Sequence, residues 1–121
     1  FNKQARVTTP SQVSAFLGND YLITLHQGEL KPLVKLFRDC QVNEKARNDY
    51  MSRSPSYLLY RILDRLLDYC FPILNKIGAN IDAAEDKVFS EDGIREAVHE
   101  LSLLRRDIIS FRRIIKPQTE V

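Results

Sequence analysis

The run from Ser54 to Phe89 constrains this chain more than any other segment. Its apolar residues recur at helical spacing over about 35 residues, which at 1.5 Å per residue predicts a helix about 50 Å long. A compact domain of this size is narrower than that. Such a helix is expected to project and to need a partner along its length, which places function in an assembly rather than in a pocket. Leu59, Leu63, Leu66, Cys70, Ile73 and Ile77 are spaced four, three, four, three, four. After one extra residue the stripe resumes at Ile81, Ala84 and Val88, like a stutter in a heptad pattern. Leu58, Ile62, Leu67, Phe71 and Leu74 widen the apolar face around Tyr60 and Tyr69. Pro72 removes one backbone donor inside the run and is expected to bend the helix. Ser54, followed by Pro55, suits the N-cap.

Ser90-Glu91-Asp92-Gly93 then turns the chain into a second helix. There Ile94, Ala97, Leu101, Leu104, Ile108, Phe111 and Ile115 form an unbroken heptad stripe, and Pro117 ends or bends the helix. Two long helices joined by so short a turn run antiparallel and hide their stripes against each other.

The N-terminal part reads differently. Gln12–Leu17 and Tyr21–His26 are strand-like, and Gly18-Asn19-Asp20 between them is turn chemistry, so a β-hairpin is expected. A hairpin alone is marginal in water, and residues 1–10 add one short strand at best, so the sheet looks incomplete. Glu29–Cys40 reads as a short helix with Leu30, Leu33, Val34, Phe37 and the following Val42 on one face and Pro32 in its first turn. Residues 43–53 have no clean period and read as a loop. The fold class is therefore α+β: a β-hairpin and a short helix, followed by a long antiparallel helical hairpin.

Composition narrows the function classes. The length suits one domain. A net charge of +2 with no basic, aromatic-interleaved face argues against nucleic-acid binding. No stretch approaches the roughly 18 apolar residues of a membrane span, and no signal peptide is evident. Cys40 and Cys70 are expected to be free thiols in a cytosolic setting. His26 and His99 stand apart from other metal ligands, and there is no phosphate loop or nucleophile motif. An enzyme is not expected.

The carboxylates and arginines hold more interest. Asp64 and Asp68 lie one helical turn apart on one face. Asp82, Glu85, Asp86, Glu91 and Asp92 gather around the tip of the helical hairpin. Mg²⁺ takes oxygen ligands, often only one or two carboxylates with waters. The alternative is a solvated acidic face with Arg61 and Arg65 as partners. Residues 55–92 carry seven acids against four bases, and residues 93–121 six bases against four acids. Arg105, Arg106, Arg112 and Arg113 therefore either bridge to the acidic first helix of the hairpin or face phosphates or another subunit.

These residues resemble a known family. The string YLLYRILDRLLDYCFPILNKIGANIDAAEDKVF is similar to the cytoplasmic domain of CorA-type magnesium transporters, with two aspartates in a Leu-rich stretch and a later "ID-x-x-E" pattern. QVSAFLGNDYLITLHQGEL resembles the family's last hairpin before its helical part, and LSLLRRDIISFRRIIKPQTEV its returning helix. The likeness runs in order from about Val13 to Val121. It departs from the family at the Gly-Met-Asn signature, since the single methionine, Met51, stands between Tyr50 and Ser52. Lys116 stands where a Trp is usual, and Gln118-Thr119 where Leu-Arg is. Both membrane helices are missing, as are most of the stalk helix and the first strands of the αβα domain. The chain thus looks like an internal fragment of the cytosolic part, with residues 1–53 a sheet and helix remnant and residues 54–121 the helical hairpin and start of the stalk.

The resemblance implies a homopentameric membrane channel for Mg²⁺ that also passes Co²⁺ and Ni²⁺, with this segment on the cytoplasmic side and joined to the membrane only through the absent C-terminal helices. A zinc-transporting branch shares the architecture. It implies regulatory Mg²⁺ between neighbouring cytosolic domains, with Asp64 at one supporting position and Asp68 its neighbour. The principal carboxylates would lie outside the chain, and the acidic tip would match the family's acidic "willow" helices. The competing expectation is a soluble helical-hairpin interaction module with no metal role.

Overall fold

The computed structural model describes residues 10–28, 30–89 and 93–120. The described residues fall into two compact units, one of Ser11–Phe71 and one that holds residues 72–120. The fold is α+β, as expected.

In the first unit, strands β1 (Val13–Leu17) and β2 (Leu22–His26) pair antiparallel, with Val13 opposite His26 and Leu17 opposite Leu22. The Gly18 amide donates to the Tyr21 carbonyl at 2.9 Å and closes the turn. The Tyr21 ring lies so close over Gly18 that a Cβ there would collide with it. Among the described residues the sheet has only these two strands. One face turns Val13 and Leu22 toward the core. The other presents Phe16, Ile23 and Leu25, all exposed.

Helix α1 (Lys31–Val42) has Pro32 in its first turn, where a missing donor costs nothing. It buries Leu33, Leu36 and Cys40 and leaves Val34 and Phe37 in water. Residues 43–53, expected to be a loop, instead form helix α2 (Glu44–Met51). Two local bonds overcome the weak period. The Asn43 side chain accepts from the Ala46 amide at 3.2 Å and caps α2. Arg47 donates to the carbonyls of Cys40 (2.8 Å) and Gln41 (3.0 Å), satisfying the open end of α1. Tyr50 then drops into the core with Leu33, Leu36, Cys40 and Ile62, and Val13, Leu22, Leu30, Leu58 and Leu66 pack around them.

Helix α3 (Pro55–Val88) spans 34 residues and continues as helix through Pro72. Ser54 caps it, its hydroxyl accepting from the Tyr57 amide at 3.2 Å. In the second unit, the C-terminal part of α3 lies against helix α4 (Gly93–Ile115). Lys87 reaches Glu96 and Glu100, while Leu74 and Ile77 share a groove with Ile108, Phe111 and Ile115, so the two helices run antiparallel. The expected turn at Ser90–Asp92 lies outside the described residues. A 3₁₀ turn (Lys116–Glu120) follows α4 and contains Pro117.

The buried lines are narrower than the stripes the spacing suggests. On α4, Ala97 and Leu104 are buried, whereas Ile94, Leu101 and Ile108 of the same heptad face water. On α3, Ile77 and Ala84 are buried, but Leu63, Leu67, Phe71 and Val88 are exposed. The cause lies in what the inner faces contain. Ala84 and Ala97 have no exposed surface at all, and the inner face of α4 also holds Glu100 and the buried Asp107. Small residues and satisfied polar groups rotate the contact away from the most apolar line.

Candidate functional site

Asp64 and Asp68 project from the first half of α3 and are both exposed. The arginines expected beside them turn elsewhere. Arg61 donates through Nη1 to the Tyr57 hydroxyl at 2.8 Å and to Asp49 Oδ2 at 3.2 Å, and its guanidinium lies 4.3 Å from the Tyr50 ring centroid. The bond to Tyr57, ahead of that to Asp49, holds Arg61 still more firmly in its charged form. Arg65 donates through Nε and Nη2 to the Tyr50 hydroxyl, at 3.2 and 2.7 Å. Among the described residues, neither Asp64 nor Asp68 makes an ion pair. The expected partnership of Arg61 and Arg65 with these two acids is therefore corrected: α2 has taken the arginines.

This corner, with Arg53 also stacked 4.5 Å over Tyr57, is the feature that sequence reading missed. Tyr57 and Arg61 lie four residues apart, which is legible as one helical face, whereas Arg53 precedes the Ser54 cap. Tyr50 was hidden because α2 itself was not expected.

Asp82, Glu85 and Asp86 lie along the end of α3, all exposed. Glu91 and Asp92 lie outside the described residues. Among the described residues, no three His, Cys, Asp or Glu side chains stand close enough together to hold a metal ion. Asp64 and Asp68 thus offer two carboxylates one turn apart, enough for a largely hydrated Mg²⁺ and too few for a closed site.

The bridging between α3 and α4 also runs opposite to expectation. A base on α3, Lys87, binds acids on α4: Nζ donates to Glu96 and Glu100, each at 3.0 Å. The bond to Glu100, then that to Glu96, raises the lysine pKa. Arg105, Arg106, Arg112 and Arg113 make no ion pair among the described residues.

Two grooves run along this helix pair. One, about 350 Å³, is lined by Leu74, Ile77, Ile108, Phe111 and Ile115 together with Arg112, Lys116 and Thr119. A smaller one, about 180 Å³, lies over Asn80, Lys87, Glu100 and Asp107. Both cysteines are free, as expected. Burial raises the pKa of each thiol. No helix among the described residues is long and apolar enough to cross a membrane.

The model of the CorA-like Mg²⁺ transporter proteins matches residues 1–121. This chain belongs to the CorA-like Mg²⁺ transporter family. A Bacillus subtilis (strain 168) protein named as metal ion transporter YfjQ is 27% identical over 122 residues, which is 99% of this chain and 35% of that protein. The cobalt/magnesium transport protein CorA of Thermotoga maritima is 38% identical over 65 residues, 54% of this chain and 18% of that protein. The CorA-like chain thus spans about a third of the length of YfjQ. No solved structure matches it.

Proposed function

We propose that this chain is part of the cytoplasmic domain of a membrane transporter for Mg²⁺ and related divalent cations, and that it takes part in sensing the ion. The observation that carries the sensing role is the state of Asp64 and Asp68. They are two exposed carboxylates one turn apart whose neighbouring arginines are bound to Tyr50, Tyr57 and Asp49. Their negative charge is left for a cation. Family membership supplies the ion class, and the names of the two relatives agree with it.

In this reading the full-length protein is a homopentamer. Mg²⁺ bound between neighbouring copies bridges Asp64 and Asp68 to carboxylates outside the chain and favours the closed pore. The acidic end of α3, with Asp82, Glu85, Asp86, Glu91 and Asp92, raises the local cation concentration through its field. The chain carries no catalysis.

Limited proteolysis of the full-length transporter tests this. With Asp64→Ala and Asp68→Ala together, the Mg²⁺ concentration that protects the cytoplasmic domain should rise severalfold. Unchanged protection would make both residues solvated surface acids and favour a helical interaction module.

A further inference from the structure

Two helical faces stay uncovered among the described residues, and each is a seam of its own. On α3, Tyr60, Asp64, Leu67 and Phe71 are spaced four, three, four, with Tyr60, Leu67 and Phe71 exposed by 60%, 53% and 61%. On α4, Ile94, Val98, Leu101, Arg105, Ile108 and Arg112 are spaced four, three, four, three, four, with Ile94 and Val98 exposed by 51% and 58%, while Ile108 and Arg112 also border the groove against α3. A repeat of this kind is the signature of a helix that packs along another helix.

The seams carry opposite charge. Asp64 sits within the α3 seam and Asp68 beside it, whereas Arg105 and Arg112 sit within the α4 seam, two turns apart. None of the four makes an ion pair among the described residues. A charged residue inside an apolar seam opposes burial unless it meets its counter-charge, and such residues fix partner and register.

We propose that the α4 seam of one copy docks on the α3 seam of a second copy, with Arg105 or Arg112 meeting Asp64. This rests on the self-assembly in the proposed function and names the surfaces involved. A second copy is the occupant because both halves of the complementary pair lie on this one chain. Like seams repel, since α4 against α4 sets arginine beside arginine. The two surfaces differ, so the contact is head-to-tail and leaves each pair with one free seam of each kind. Repetition closes a ring or extends a filament. An Asp64 held by a guanidinium is not an inner ligand of Mg²⁺, so the cation and the arginine use this carboxylate in alternation.

The test is sedimentation equilibrium of the 121-residue chain in EDTA at low salt. The chain should self-associate. Asp64→Arg should weaken association about tenfold or more, as should Arg105→Asp with Arg112→Asp, whereas mixing the two variant chains should restore it. All three positions are exposed, and circular dichroism should show unchanged helix content. A chain monomeric at several hundred micromolar overturns this contact, as does association indifferent to the reversals or a mixture no tighter than either variant alone. Because no metal is present, the outcome is independent of the Mg²⁺ protection assay. Failure there with association intact sinks the cation role alone.

Discussion

The Arg61 guanidinium stands 4.3 Å from the centroid of the Tyr50 ring, while Arg65 donates to the hydroxyl of that same tyrosine at 2.7 Å. One buried side chain of α2 thus gathers two cations of α3, and a ring face and a phenol oxygen are both attractive to positive charge. Two changes separate these contributions. Tyr50→Phe keeps the ring and removes the acceptor, and should cost about 1 kcal/mol. Tyr50→Ala removes the buried ring and should cost about 3–5 kcal/mol. Urea unfolding followed by circular dichroism measures both, and equal losses would mean that the hydroxyl, rather than the packed ring, holds the corner.

Helix α2 depends on its N-cap. Replacing Asn43 by Ala removes the bond to the Ala46 amide and should destabilise the chain by about 1 kcal/mol. Amide hydrogen exchange should show faster opening across Glu44–Met51. No change in exchange there would mean that Arg47 and Tyr50 alone fix the helix.

The pairing of Lys87 has a definite pH dependence. Its pKa is raised in the folded chain by its bonds to Glu100 and Glu96. Its contribution is therefore fully present below the ordinary lysine pKa and is lost as pH rises through the higher folded value. Thermal melts between neutral pH and the alkaline range should fall less steeply for Lys87→Met than for the parent chain. Parallel curves would refute the linkage.

Ala97 and Ala84 have no exposed surface, which leaves no space for a longer side chain between α3 and α4. Ala97→Leu should cost about 1–3 kcal/mol through overpacking, since leucine is nearly as good a helix former as alanine. A stabilised variant would show that the helix pair opens readily at that level.

Cys40 is buried and its thiol pKa is raised, first by burial and then by the Asp39 carboxylate. Cys70 is only partly covered, and its Sγ donates to the Leu66 carbonyl at 3.4 Å. A thiol reagent near neutral pH should label Cys70 first and reach Cys40 only on unfolding. Mass spectrometry of the labelled peptides reads the order, and early labelling of Cys40 would contradict its burial.

The large elements were legible because their signals are repetitive. The heptad spacing of α3 and α4, the turn residues Gly18-Asn19-Asp20 and the Ser54 cap each carry structure locally. What escaped depends on tertiary contact. Helix α2 has little periodicity and stands on the Asn43 cap and the Arg47 bonds to α1. The rotation of the α4 stripe toward Ala97 and Leu104 follows from which residues of α3 oppose it, which spacing along one helix does not encode. At the candidate site, Asp64 and Asp68 stood out from spacing alone. That their arginines are engaged by Tyr50 and Asp49 required the fold.

The core formed by Leu33, Leu36, Cys40, Tyr50 and Ile62 is drawn from one contiguous span, and its last surrounding member is Leu66. Every loop that must close to form it is short, which favours rapid local folding. During synthesis the first unit can thus be complete while the remainder of α3 is still within the ribosome, before α4 exists to pack against it.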